Sequence, residues 1–165
     1  MTQFTNLHDL LIEQLQDLYD AEQQLTKALP KMAEAAHCDG LKKAFESHLE
    51  ETERQIERLE HVFEEIGEEA EAKTCKAMKG LIAEGDEVLK AKGSDEVRDA
   101  ALIAAAQRVE HYEMAGYGTC RAFAQRLGFE RAAEMLQETL DEESAADRKL
   151  TEIAEQSVNA EAQQA

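Results

Sequence analysis

Apolar residues recur at steps of three and four along four long stretches of this chain, and in three of those stretches the apolar stripe contains a glutamate. Steps of three and four put side chains on one face of an α-helix, so each stretch reads as a helix with one buried face. The first stripe is Leu7, Leu11, Leu15, Leu18, Glu22, Leu25, Leu29 and Met32, opened by Asn6 as an N-cap. Pro30 removes one backbone bond within it and predicts a kink rather than a stop, the helix ending near His37 to Gly40. The second helix is expected from about Leu41 to Ile66, with Gly67 as its stop and Leu41, Phe45, Leu49, Thr52, Ile56, Leu59, Phe63 and Ile66 as its stripe. The third follows a cap at Ser94 and runs through Leu102, Ala106, Val109, Glu113, Gly116, Cys120, Phe123 and Leu127 to Gly128. The fourth carries Ala132, Leu136, Leu140, Glu143, Asp147, Leu150 and Ile153.

Between the second and third helices the pattern is shorter, with Met78, Leu81, Ile82, Val88 and Leu89 predicting a crossover helix. The expected fold is all-α, a four-helix bundle with a short extra helix in the crossover. A length of 165 residues fits one domain, placed at residues 1–158. Residues 159–165 carry too little apolar content to pack and are expected to be disordered.

Shifting the sequence by 91 residues superposes the two hairpins: Leu18 falls on Val109, Glu22 on Glu113, Leu49 on Leu140, Glu51 on Glu142, Thr52 on Glu143 and Leu59 on Leu150. One offset serves both helix pairs, which reads as a degenerate duplication of a single hairpin.

Charge and cysteine usage exclude several functions. Acids outnumber bases 36 to 18, giving a net charge of −18, and such a chain is a poor partner for nucleic acid or an anionic membrane. The N-terminus lacks a basic region before an apolar stretch, and no apolar run approaches the length of a membrane span. Cys38, Cys75 and Cys120 are odd in number and lack Cys-x-x-Cys spacing, which favours neither disulfides nor a zinc-thiolate site and predicts a cytoplasmic protein. A glycine-rich phosphate loop, His-Glu-x-x-His and a nucleophile elbow are all missing from the sequence.

The chemistry rests on the glutamates that break the stripes. An ionised carboxylate in an apolar core costs several kcal/mol even after relaxation, so Glu22, Glu113 and Glu143 must be protonated, paired or bound to a cation. Glu110 lies one turn before Glu113 and Asp147 one turn after Glu143, so each pair can address the same interior volume. Oxygen-rich donor sets favour iron(II), manganese or magnesium over copper or thiolate-bound zinc. On the second helix Glu51 is the preferred ligand, as counterpart of Glu142. His48 reads first as a partly buried histidine bonded to a carboxylate and second as a nitrogen ligand. Tyr19, Tyr112 and Tyr117 fall within one turn of Glu22 or Glu113 and read as buried rings with bonded hydroxyls, or as donors to a metal-bound carboxylate.

Leu-Tyr-Asp-Ala-Glu at 18–22, His-Leu-Glu-Glu-Thr at 48–52 and Val-Glu-His-Tyr-Glu at 109–113 occur together, supported by residues 98–107 and 138–143. In these motifs the chain resembles the YciF-like family of bacterial stress proteins from Leu7 to about Val158. The resemblance implies a ferritin-like fold related to rubrerythrin-type di-metal proteins, a homodimer, and a part in stress responses. Di-iron proteins of that fold contribute Glu-x-x-His from two helices, and here Ala146 and Gln55 stand where the histidines would fall. The first hairpin is therefore expected to be poorer in ligands than the second, with a single or asymmetric site.

The leading expectation is a metal-binding stress protein with Glu22, Glu51, Glu110, Glu113, Glu143 and Asp147 around iron or a similar ion, reacting with peroxide or oxygen. The competing expectation is a structural or partner-binding bundle whose buried acids are vestigial.

Overall fold

The computed structural model of the chain describes residues 4–165; residues 1–3 of the expected domain fall outside it. Six helices follow one another: α1 (Leu7–Ala35), α2 (Asp39–Ile66), α3 (Lys76–Lys90), α4 (Asp95–Leu127), α5 (Glu130–Ile153) and α6 (Asn159–Gln164), the last two joined by a π-helical turn at Ala154–Val158. Among the described residues there is no strand. The sequence signals mark the ends physically. Asn6 and Ser94 accept hydrogen bonds from the amides of Asp9 and Val97, and Gly67 and Gly128 close α2 and α4 at φ of 79° and 85°, where a side chain would be strained. α1 continues through Pro30 for a further turn.

The four long helices form a ring in which α1 packs on α2 and α4, and α5 packs on α4 and α2. Their directions follow from which residues meet. Leu18 abuts Gly116 and Tyr117 bonds Glu22, whereas Leu25 and Ala28 share a wall with Val109 and Ala105, so α1 and α4 are antiparallel. Arg58 pairs with Glu138 and Glu142, whereas Phe45 lies near Leu150, so α2 and α5 are antiparallel too. The α3 crossover packs on α1 and α4 and returns the chain so that α2 and α4 point the same way from opposite corners.

Buried and half-buried carboxylates fasten the connections. Asp99 accepts from the amides of His37 (2.9 Å) and Cys38 (2.6 Å), capping the start of α2, and Asp20 accepts from the amide of Cys75 (2.7 Å) at the start of α3. Tyr112 donates to Asp17 and meets the Cys75 sulfur at 3.1 Å, tying α4 to α1 and α3.

Two expectations are corrected. The final segment is helical to Gln164 because Ala, Glu and Gln extend α5 at little cost, although none of its residues is buried. On α2, Leu49 and Ile56 are only half-buried, and His48 and Gln55 take the interior positions instead. That rotation is decided by packing against α1 and α5, which the stripe of a single helix does not contain.

The apolar core is split. One cluster gathers Leu25, Leu29, Phe45, Leu102, Val109 and Leu150, and the other Leu11, Leu15, Leu59, Phe63, Tyr117 and Leu136. Between them lie Glu22, His48, Thr52, Gln55, Glu110, Glu113, Thr139 and Glu143, all buried. A polar layer thus crosses mid-bundle, fed by all four long helices.

Candidate metal centre

Within this layer one donor atom each from His48, Glu110, Glu113 and Glu143 lies within 4.8 Å of the others. Helical spacing explains the contribution of α4: Glu110 and Glu113 are three apart and share one face. α5 supplies Glu143 and α2 supplies His48, whose Nε2 stands 3.4 Å from Glu110 Oε1 and 3.8 Å from Glu143 Oε2. The other imidazole nitrogen, Nδ1, is 3.4 Å from Glu51 Oε2. That contact favours the tautomer with its proton on Nδ1 and leaves the Nε2 lone pair facing the carboxylates, the usual orientation of a metal-binding histidine.

Glu22 enters the layer from α1, fully buried against Glu113 and Glu143. Tyr117 donates to its Oε1. Of the six acids anticipated, Glu110, Glu113 and Glu143 are brought together and Glu22 borders them. Glu51 keeps 31% of its side chain exposed and touches the group through His48. Asp147 turns to Gln107 Nε2 (3.0 Å) and His111 Nε2 (3.3 Å). His48, placed second as a ligand on sequence grounds, stands at the centre. The signal was present in its spacing, since His48, Thr52, Gln55 and Leu59 follow one another at four, three and four.

The decisive property of the layer is what its atoms lack. Both oxygens of Glu113 and of Glu143, Oε2 of Glu22, Oε2 of Glu110 and Nε2 of His48 are buried without a hydrogen-bond partner. Buried polar groups in folded proteins are almost always paired, and leaving one unpaired costs about 1–3 kcal/mol. Seven such atoms fall in this one layer, and the group formed by His48, Glu110, Glu113 and Glu143 could hold a cation. Three carboxylates with one imidazole suit a hard or borderline divalent ion, and the residues fit one.

Without a cation the electrostatics must be met by protons. Burial, reinforced by the charge of Glu143, pushes the Glu22 carboxyl up to about 8, and burial with the charges of Glu22, Asp147 and Glu51 does the same for Glu110. Burial together with neighbouring carboxylates holds Glu113 and Glu143 well above the ordinary carboxylate range. Burial disfavours a charged His48, yet Glu51, Glu143 and Glu22 outweigh it and raise its pKa. A metal bound among these groups would have to displace the protons that burial favours on them.

The fold and the layer define a class: an all-helical bundle with a buried carboxylate and histidine group able to bind a metal ion. Within that class the chain belongs to the family described as a domain of unknown function, DUF892, whose pattern matches residues 6–163. It is 51% identical over 158 residues to the protein YciF of Escherichia coli, covering 95% of each chain. The crystal structure of that E. coli stress protein superposes with a TM-score of 0.91 at 50% identity, over 94% of this chain and 99% of the other. YcfI from Rhodopseudomonas palustris superposes with a TM-score of 0.87 at 46% identity, over 90% of this chain and 98% of the other. A protein from Xanthomonas campestris shares the fold, with a TM-score of 0.73 at 22% identity over 96% of this chain and 98% of the other.

Proposed function

We propose that this chain is a ferritin-like metal-binding protein of the bacterial stress response, holding iron, or manganese in its place, in the mid-bundle layer. The observation that carries the reading is the buried group of His48, Glu110, Glu113 and Glu143 in a layer with seven unpartnered carboxylate and imidazole atoms between two apolar half-cores. The single long crossover between two antiparallel hairpins is the connectivity of ferritin-like bundles. The stress association is carried over from the E. coli relative.

Glu110, Glu113, Glu143 and His48 would hold the ion, with Glu22 completing the set through Oε2 and Glu51 orienting His48 through Nδ1. Asp147 would act on Glu110 through its charge. When bound, iron in such a donor set supplies electrons to peroxide or oxygen. The protein's own part is to exclude water with the apolar clusters and to release the protons held on its carboxyls. A cytoplasmic homodimer is the form in which we place this activity.

The second reading, a structural bundle with a vestigial site, is favoured by the first hairpin, where Thr52 occupies the position of Glu143 under the 91-residue shift. Its relative YcfI has itself been proposed as a structural protein. Elemental analysis after anaerobic iron(II) loading separates the two. Stoichiometric metal in the wild type and its loss in Glu113→Ala support the centre, whereas wild-type protein that takes up no metal supports the scaffold.

A further inference from the structure

The polar layer opens to the surface on one side, through a cavity of about 550 Å³ between α2 and α5. Pockets that take small organic ligands span roughly 300–1,000 Å³, so the space exceeds what an ion or water needs to enter. Its inner end is formed by the buried His48 and Glu110, and its outer rim by the exposed Lys43 and Lys149. Between them the walls are apolar: Phe45 and Leu150 supply the large surfaces, and Ala44 and Ala146 leave the space open by being small.

The charges in the lining select a ligand. Two of its acids are already engaged, Glu51 by His48 and Glu142 by Arg58 and Gln55, and the third, Glu110, lies buried at the inner end, away from the rim. The rim cations are not: among the described residues Lys43 has no ion-pair partner, and Lys149 has only Glu152 at 3.9 Å. In a chain of net charge −18 this mouth therefore offers positive charge that the protein does not itself use. A cationic molecule would meet the lysines, and a purely apolar one would leave them unanswered.

We propose that the cavity is the site for an amphiphilic organic anion, a carboxylate on a short apolar tail, held at the rim by Lys43 and Lys149 with its tail along Phe45 and Leu150 toward His48. That the ligand is a substrate rests on the metal reading of the layer; that it binds does not.

The test is calorimetric titration of the full chain, metal-free and iron-loaded, with octanoate, octylamine and octanol. Octanoate is expected to bind once per chain and to outcompete the other two. Replacing both lysines, Lys43→Gln with Lys149→Gln, should weaken octanoate about tenfold, the loss expected of two exposed charge contacts. Ala146→Phe should abolish binding by filling the space while retaining the helical circular dichroism and the metal content of the wild type. Ala44→Leu narrows the opposite wall should that variant misfold. No octanoate binding, equal binding of octylamine, or binding that survives a folded cavity-filling variant overturns the proposal. So does a wild-type oligomer that Ala146→Phe dissociates in light scattering, because a second copy then covers the opening. Octanoate binding to wild type that holds no metal would sink the centre and leave the pocket standing.

Discussion

Tyr117 on α4 donates its hydroxyl hydrogen to Oε1 of Glu22 on α1, and Oε2 of the same carboxylate faces the layer with no partner. The bond fixes one oxygen and thereby aims the other. Both residues are fully buried, so neither can recruit water in place of its partner. Removing the hydroxyl in Tyr117→Phe orphans the second oxygen as well. The variant should lose about 1–3 kcal/mol in urea unfolding of the metal-free protein, and metal affinity should fall about 10–100-fold. Unchanged affinity in a metal titration would remove Glu22 from the donor set.

The metal-free protein should lose stability as pH rises. Glu22 and Glu110 titrate at about 8 when folded against an ordinary 4.5, and His48 is raised as well. Across that window the native state holds more protons than the unfolded chain, so the slope of unfolding free energy against pH is negative. The carboxyl contribution is complete below about 4.5 and gone above about 8. Melting curves in chelator across this range should fall, and a bound divalent ion should flatten them by displacing the protons. A metal-free melting temperature that rises with pH contradicts the layer's arrangement.

Glu143→Leu separates structure from function. Leucine roughly matches the volume of glutamate and removes a buried carboxyl with two unpartnered oxygens. The metal-free variant should be as stable as the wild type or more so, by up to about 4 kcal/mol. Chelator should shift the melting temperature of the wild type and leave that of the variant unchanged. An equal chelator response in both would show that Glu143 holds no ion.

Asp99→Ala provides the contrast of a buried carboxylate that is fully used. It leaves the amides of His37 and Cys38 without their acceptor at the α1–α2 turn. The expected loss is about 1–3 kcal/mol in denaturant unfolding, with metal content unaltered because Asp99 lies outside the donor group. Loss of metal at unchanged stability would refute this division of labour.

Much of the molecule was legible in one dimension. Helix periodicity, the caps at Asn6 and Ser94 and the stops at Gly67 and Gly128 are local signals, each contained within a few residues. Glu22, Glu113 and Glu143 were visible for the same reason, as charges on stripes that otherwise demand apolar side chains, and all three are fully buried. Tyr117 was visible only as a tyrosine one turn from Glu113, because its partner lies on another helix.

The sequence by itself determined which segments are helical and that acids interrupt their apolar stripes, because the three–four spacing depends on the chain's own geometry alone. Tertiary structure decided the rotation of α2, which buries His48 and Gln55 in place of Leu49 and Ile56. It also decided that Glu51 and Asp147 stay at the edge while four residues from three helices converge. Steps of three and four tolerate neighbouring rotations of a helix about its axis. Only the surfaces packed against it, drawn from distant parts of the chain, select one.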